Sequence, residues 1–341
     1  MSFKTTSLVL IKRHAETEDT ESFYFQTKEA SPLNFKPGQF ILLSVTINNT
    51  TQVRAYSISS QPNNQIIQLT IKRVNNGLVS NWLIDHLQPN QEVLVQDIAG
   101  EFNIIDRPYR QKILFISAGC GITPVFSMAN YLLNHQSDIE IDFLHCAKDE
   151  DNIIYDAKLP QLAELNTQFH YHLRLKKRIS TQALDCSSVG RVTPEFLSAN
   201  YNRIQQYTIF LCGSQRFMQD ITQSLNTLGF DMAHFYHESF HVESTNATHI
   251  NSHPSVTVSI PSFDFEQTVP YDENLLHILE SGQLPIIGAC RAGVCGSCKC
   301  KIEHGEVEST STATLTPQEI EQGYRLACSS KVKTDVRVSL F

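Results

Sequence analysis

The run Lys112-Ile-Leu-Phe-Ile-Ser-Ala118-Gly-Cys-Gly121-Ile-Thr-Pro124 decides the fold. Its apolar residues are continuous rather than alternating, as a parallel strand buried on both faces requires. Two glycines then permit a tight turn, and Pro124–His135 repeats its apolar residues at helical spacing. Downstream the alternation continues. Strands are predicted at 139–147, 168–177 and 207–214, and helices at 154–166, 193–200 and 215–229, the last stopped by Gly229. Strand–helix alternation of this kind builds a parallel α/β sheet. The stretch Ile113–Ser137 lacks Asp, Glu, Lys and Arg and is long enough to cross a bilayer, but its Ser-Ala-Gly-Cys-Gly-Ile-Thr-Pro centre is too polar and too broken for hydrocarbon.

Working outward, residues 1–107 carry short β signals, ILLSVTI, RAYSIS, IIQLTIKRV and EVLVQDI, parted by turns such as Lys36-Pro-Gly-Gln39 and Gln61-Pro-Asn-Asn64. Many short strands with regular turns predict an antiparallel β-barrel. On the far side, HVESTNATHINSH (241–253) is polar and aperiodic, a linker. A third unit, 254–341, opens with alternating SVTVSI and FEQTV. A helix over Asp272–Gly282 follows, with Asp near its start, then a cysteine run, a strand and turn in KIEHGEVE, and the capping box Thr316-Pro-Gln-Glu319. The predicted fold class is multidomain: a β unit (1–107), an α/β unit (108–240), a linker and an α+β unit (254–341).

Composition narrows the function. In 341 residues, Lys and Arg number 27 against 35 Asp and Glu, a net charge of −8. That balance excludes nucleic acid and anionic membrane as main partners, since both demand a basic face. Hydrophobic residues at 41% exclude a disordered chain. The opening MSFKTTSLVLIKRH holds an apolar run of only four residues between lysines, too short for a secretory signal. A cytoplasmic location with reduced thiols is therefore expected, and Asn246-Ala-Thr248 is not read as a glycosylation site.

Nine cysteines are present, and four of them lie between 290 and 300. Cys290, Cys295 and Cys298 are spaced C-x4-C-x2-C, and Cys328 follows thirty positions later. This is the plant-type [2Fe–2S] ligand spacing. Gly293 and Gly296 let the backbone wrap and aim N–H groups at sulfur. Structural zinc is the rival, but it wants two C-x2-C half-sites and only Cys295/Cys298 supplies one. Cys300 is read as a free thiol beside the cluster.

Two further constellations suit nucleotides. Arg54-Ala-Tyr56-Ser57-Ile-Ser59 supplies a cation, a flat wall and a hydroxyl donor, as a flavin needs. Lys72-Arg73 precedes Gly77-Leu-Val79-Ser80-Asn-Trp82, a glycine turn opening a helix whose first amides can cradle a pyrophosphate. In the α/β unit, Gly119, Gly121, Thr123 and Pro124 form a second such turn. Cys212-Gly213-Ser214 ends a later parallel strand, where ligands of open α/β sheets bind. Asp149-Glu150-Asp151 would repel a 2′-phosphate and suits NADH, while Lys148 acts the other way. His234, His237 and His241 are read as a solvated domain end rather than a metal site.

R-x-Y-S-x-S, then K-R-x…G-x-V-S-x-W-L, resembles the ferredoxin reductase superfamily. The resemblance implies that Arg54, Tyr56, Ser57, Ser59, Lys72, Arg73, Gly77, Val79 and Ser80 bind FAD. It implies that Gly119, Gly121, Thr123, Pro124, Cys212, Gly213 and Ser214 bind NADH, with NADPH not excluded. Cys212 would stand beside the hydride-donating carbon; Ser214 departs from the family's usual proline. Glu238-Ser239-Phe240 matches the family's E-x-F ending, which implies that Phe240 covers the flavin ring, so Ser57, Thr123, Cys212 and Phe240 are the candidate catalytic residues. Cys290, Cys295, Cys298 and Cys328 are the metal ligands of a β-grasp ferredoxin domain.

Finer motifs, Ala118-Gly-Cys-Gly-Ile-Thr-Pro124, Cys290-Arg-Ala-Gly-Val-Cys-Gly296 and Glu321-Gln-Gly-Tyr-Arg-Leu-Ala-Cys328, look like the NADH oxidoreductases that serve the hybrid cluster protein. In that family the partner handles nitric oxide or related nitrogen species. The implied activity carries electrons from NADH through FAD and [2Fe–2S] to a redox protein, the linker letting the last domain swing. The alternatives are the reductase of an oxygenase, demethylase or desaturase, and a non-catalytic iron–sulfur sensor.

Overall fold

The structure, a computed structural model, describes residues 5–62, 65–178, 187–240, 255–291 and 293–340. The linker 241–253, Cys186 and His241 lie outside the described residues. The chain divides into two compact units, Met1–Ser239 and Phe240–Phe341.

The first unit begins with β1 (Thr6–Thr17), β2 (Thr20–Thr27), β3 (Phe40–Ile47), β4 (Thr50–Ser57), β5 (Ile67–Lys72), α1 (Leu78–His86) and β6 (Glu92–Ala99). These strands form an antiparallel sheet in the order β4-β3-β6-β1-β2-β5, and an Ile58↔Leu69 bridge draws its two edges together. Leu8, Leu10, Phe23, Phe25, Ile41 and Leu43 fill its interior. The β1–β2 hairpin was not anticipated. Its inner residues Leu8 and Leu10 are followed by a register shift and by Lys12, Arg13 and Glu16, which break the apolar alternation. Arg13 pairs with Glu21 and donates to the carbonyls of Ile84 (2.6 Å) and Leu87 (2.8 Å). A cation thus satisfies acceptors at the end of α1, where the helix dipole favours it.

The parallel sheet follows: β7 (Lys112–Ala118), α2 (Ile122–His135), β8 (Glu140–Ala147), α3 (Lys158–Leu165), β9 (Phe169–Leu175), β10 (Ser187–Val189), α4 (Pro194–Asn200), β11 (Tyr207–Gly213), α5 (Gln215–Thr227) and β12 (Phe235–Ser239). The strand order is β10-β9-β8-β7-β11-β12. Phe143, Phe115 and Phe210 stand side by side on three neighbouring strands, with ring centroids 5.9 and 5.6 Å apart. The helix expected over 154–166 starts only at Lys158. Tyr155 takes a left-handed φ of +63° and is buried, its hydroxyl 2.5 Å from Thr70 Oγ1 and accepting from Gln68 Nε2 at 3.2 Å. The residues before α3 are thus used to fasten the parallel sheet to the barrel.

The second unit holds β13 (Ser255–Ile260), β14 (Phe265–Pro270), α6 (Leu275–Ser281), β15 (Lys299–His304), β16 (Val307–Ser309), α7 (Pro317–Glu321), β17 (Tyr324–Leu326), β18 (Ser330–Val332) and β19 (Val336–Ser339). Its mixed sheet runs β14-β13-β19-β15-β17 and carries α6 on a core of Val258, Leu275, Leu279, Leu326 and Val338. The α6 cap is Asn274, whose side chain accepts from His277 N, rather than Asp272. Asp272 instead sits at φ +71° and pairs with Lys331 and Lys333. The capping box at Thr316 forms as expected. Among the described residues no helix is long and apolar enough to cross a membrane.

Replacing Tyr155 by Phe removes one buried partner from Thr70 and from Gln68, which keep Ser22 and each other. The expected cost is about 1–2 kcal/mol, read as a lower urea midpoint at unchanged m-value.

Candidate functional site

In the barrel, β4 ends at Ser57, so Arg54 and Tyr56 share one side and buried Ser57 faces the other, as strand geometry dictates. Tyr56 packs against the barrel core, and burial pushes its hydroxyl well above the ordinary range. Ser59 Oγ donates to Gln68 O at 3.0 Å. Nearby, α1 begins at Gly77 without a side-chain cap. A Cβ on Gly77 would stand 2.7 Å from Ser80 Oγ, so the turn into α1 needs glycine for space. The first amides of α1 carry the partial positive charge that suits a pyrophosphate. Val79 and Ser80 are buried behind them. Lys72 and Arg73 do not stand as open cations here: Lys72 pairs with Asp19 at 2.7 Å and Arg73 with Asp85 at 2.7 Å.

In the parallel sheet, Gly119-Cys120-Gly121 makes one tight turn between β7 and α2, with Gly119 at φ +53°. A Cβ on Gly121 would lie 2.2 Å from the Cys212 carbonyl oxygen. That close approach, rather than a special φ, is why glycine is required, and it joins the two halves of the expected nicotinamide site. Thr123 is buried and donates to Cys120 O at 3.0 Å, which leaves its oxygen lone pairs to accept. Pro124 lies in the first turn of α2, where a missing N–H costs nothing. Cys212 is fully buried, and burial with Glu238 nearby raises its thiol well above the ordinary value. Ser214 adopts φ −67°, the value proline would impose, and its hydroxyl caps α5 by accepting from Phe217 N at 3.4 Å. The departure from proline therefore keeps the backbone shape. Phe240 begins the second compact unit and is partly buried.

A row that the sequence reading missed crosses this edge of the sheet. In register, His145, Ser117, Cys212 and Glu238 lie side by side on β8, β7, β11 and β12. All four are buried. His145 Nδ1 is 2.9 Å from Ser117 Oγ, and burial lowers the imidazole to about 3. The row depends on strand order and register, which no local motif reveals. His234 contacts Asp231 at 2.9 Å, an ordinary surface pair.

In the second unit the four expected ligands come together. Cys295 contacts Cys290, and Cys328 contacts both Cys290 and Cys298. Cys298 and Cys328 are buried, Cys290 and Cys295 partly exposed. Contact with Cys290 is the largest cause raising Cys295 and Cys328, so a cationic centre would supply what these thiols need to ionise. Backbone amides already point at sulfur: Gly293 N to Cys328 at 3.2 Å, Val294 N to Cys290 at 3.4 Å and Cys328 N to Cys298 at 3.4 Å. Gly293 is at φ +70° with Ser311 filling the space a Cβ would need. These donors fit a [2Fe–2S] cluster. Among the described residues no three His, Cys, Asp or Glu side chains converge as a single-ion site. Cys300 is buried in the same core, its thiol pushed up to about 12 by burial, 3.7 Å from Arg325 O.

Comparison with known proteins adds an independent line. Residues 7–104 match the family described as oxidoreductase FAD-binding domain, 115–223 oxidoreductase NAD-binding domain, and 261–333 2Fe-2S iron-sulfur cluster binding domain. The chain is 31% identical to the glycine betaine monooxygenase reductase subunit of Pseudomonas aeruginosa, over 96% of this chain and 93% of that protein. It is 32% identical to the NADH oxidoreductase HCR of Escherichia coli, over 89% of this chain and 88% of that one. Phthalate dioxygenase reductase shares the fold with a TM-score of 0.70, at 22% identity, covering 99% of this chain and 98% of that chain.

Gly121→Ala should push the loop off β11. We expect a loss of about 1–3 kcal/mol from overpacking, seen as a lower melting temperature together with a raised KM for NADH. The buried His145 sets a pH dependence. Folded, it stays neutral down to about 3, whereas the unfolded chain protonates it near its ordinary 6.5. Its contribution is therefore complete above pH 6.5 and falls by about 1.4 kcal/mol per pH unit below that. Urea titrations at pH 7.5 and 5.5 should show a shallower decline for His145→Gln than for the native chain; equal declines would contradict the assignment.

Proposed function

The chain belongs to the ferredoxin-reductase family of FAD- and NAD-binding oxidoreductases with a 2Fe-2S domain, and from that premise we propose that it passes electrons from NADH to the hybrid cluster protein. The coarser activity, NADH-dependent electron transfer through FAD and a [2Fe–2S] centre, rests on near full-length likeness to reductases. When bound, FAD takes up the hydride's electron pair and the [2Fe–2S] centre passes electrons on singly. The chain's own residues position these groups. The open amides at the start of α1 and the Arg54 side chain hold the flavin's phosphates, Tyr56 forms a wall, and Ser57 offers a hydrogen bond. The Gly119–Gly121 turn lets the nicotinamide nucleotide lie close to backbone, and Thr123 accepts from its carboxamide. Cys212, kept a neutral thiol, shapes the floor beneath the nicotinamide without adding a charge. Asp149, buried and held by Asn152 and by Lys177 at 3.5 Å, sits past the end of β8, where it would accept from a ribose diol. A role for Lys72 and Arg73 requires exchanging Asp19 and Asp85 for phosphate. Phe240 covers the flavin in this reading, and Cys290, Cys295, Cys298 and Cys328 ligate the cluster, in modules 1–107, 108–240 and 254–341.

The single observation that carries the proposal is the Gly121–Cys212 contact, which unites two separate sequence motifs into one nucleotide-binding edge. Four thiolates that must stay unoxidised support a reducing cytoplasm. The partner rests on the sequence resemblance described above. A second reading, the reductase of an oxygenase component, is favoured by the 31% identity to the glycine betaine monooxygenase reductase subunit.

Anaerobic titration with NADH should bleach the flavin and then the cluster. If both chromophores stay oxidised, the reading fails. Cys290→Ser should abolish cluster absorbance and electron delivery to the partner, yet keep NADH–ferricyanide activity within about twofold, since hydride uptake needs only the first two modules. Reoxidation of the reduced chain, timed against hybrid cluster protein and against an oxygenase component, decides between the partners.

A further inference from the structure

The segment after β16, which supports the cluster loop, carries a polar group that the site described above does not use. Thr310 Oγ1 donates to Ser329 O at 3.3 Å, Ser311 Oγ to Gly293 O at 2.7 Å, and Thr316 closes the capping box of α7. Thr312 is exposed to water. Thr314 differs: its Oγ1 is buried and has no hydrogen-bond partner among the described residues. A hydroxyl buried without a partner is costly, and native chains seldom keep one unless something bound there satisfies it. Valine has nearly the same shape and no hydroxyl, so packing alone does not call for threonine.

Direction gives the hydroxyl a target. From the point where a Cβ would stand on Gly296, Thr314 Oγ1 is the nearest atom at 3.0 Å, while its Cβ is 3.5 Å and its methyl 4.0 Å away. The polar end of the side chain therefore faces the loop between Cys295 and Cys298. The backbone on both sides is fixed: Ala313 N donates to Ser311 Oγ at 3.4 Å, and Leu315, buried in the core, donates its N–H to Thr312 O at 2.9 Å. The donors already named are taken. The amides of Gly293, Val294 and Cys328 point at Cys328, Cys290 and Cys298, and the Ser297 hydroxyl lies 3.3 Å from Cys295 sulfur. The Thr314 proton remains, beside a loop whose business is to hold sulfur around a metal centre.

Resting on the ligand assignment above, we propose that Thr314 Oγ1 donates its proton to the cluster's sulfur on the Cys295 side and thereby raises the reduction potential of the [2Fe–2S] centre. Reduction adds one electron and makes the centre more negative. A hydrogen bond to sulfur is stronger in the more negative state, so it favours the reduced form. A hydroxyl rotates to suit its acceptor, so the donor reaches sulfur without backbone movement. Thr314 takes no part in hydride uptake by the flavin; it sets how readily the centre accepts and releases its electron.

The test follows the EPR signal of the reduced [2Fe–2S] centre through a redox titration of the complete FAD- and cluster-loaded chain, with cluster content checked by iron and sulfide analysis. At the native midpoint, Thr314→Val should lower the ratio of reduced to oxidised centre about fivefold, the scale of one hydrogen bond. That is a downward shift of about 40 mV for a one-electron couple. Thr314→Ser keeps the hydroxyl and should keep the native midpoint, as should Thr312→Val at the exposed neighbour. Should the valine variant fail to retain its centre, Thr314→Ala removes the hydroxyl with less bulk and should show the same shift. Pulsed EPR of the loaded variant should also lack one proton coupling that exchanges in heavy water. The proposal is wrong if a fully loaded variant without the hydroxyl titrates at the native midpoint. It is equally wrong if Thr314→Ser shifts as far as Thr314→Val, because that is the mark of packing rather than of a proton. A native chain with no [2Fe–2S] signal overturns the ligand assignment itself and takes this proposal with it.

Discussion

The arrangement of the first unit turns on one contact: the Gly119–Gly121 turn pressed against the backbone at Cys212. Parallel strands reach each other only through crossovers, and the chain leaves β7 in one direction toward β8 and returns on the opposite side at β11. The gap opened by that reversal is where open α/β sheets bind ligands. Here the gap is closed down to the width of a glycine. Any side chain at 121 would hold α2 away from β11 and would separate the Gly119–Gly121 turn from the backbone at Cys212. The aromatic row Phe143–Phe115–Phe210 just below makes the strands rigid enough for so narrow a gap to persist.

Above the aromatic row the sheet changes chemistry without admitting water. His145, Ser117, Cys212 and Glu238 follow Phe143, Phe115, Phe210 and Tyr236 two residues later on the same strands. Burial keeps His145 and Cys212 uncharged. The barrel contributes a similar restraint through Tyr155, whose buried hydroxyl joins Thr70 and Gln68 across the seam. The barrel and the parallel sheet are thereby joined by hydrogen bonds buried away from water.

What could be read from the residues alone follows from how far apart the deciding partners are in sequence. The strand Lys112–Ala118, the capping box at Thr316 and the cysteine spacing are local, and each was legible. The β1–β2 hairpin was hidden because Lys12, Arg13 and Glu16 interrupt its alternation, while Arg13 serves the distant end of α1. The late start of α3 was hidden because Tyr155 answers to Thr70, 85 positions away. The helix expected from Asp272 begins only at Leu275 under an Asn274 cap, because Lys331 and Lys333 claim Asp272 in space. The His145 row has the same kind of cause: register between strands is a long-range property.

The second unit shows the opposite economy, in which nearly everything needed for a site is local. Between Cys290 and Cys298 the backbone must turn sharply enough to direct several amides inward, and Arg291, Gly293 and Gly296 all take positive φ to do it. Glycine takes that region without penalty at 293 and 296, so only Arg291 adopts it at a steric cost. Ser311 and Thr314, from the segment after β16, occupy the spaces that Cβ atoms at 293 and 296 would fill, and Ser311 Oγ donates to Gly293 O at 2.7 Å. The loop is therefore held from outside as well as by its own Val294 N–Cys290 Sγ hydrogen bond. That explains why Cys328, thirty residues on, completes the set: it lies on the same supporting wall, beside Ser329, whose hydroxyl returns a bond to Ser311 O at 3.0 Å. With Cys298 and Cys328 anchored in the core, Cys290 and Cys295 form the outward edge.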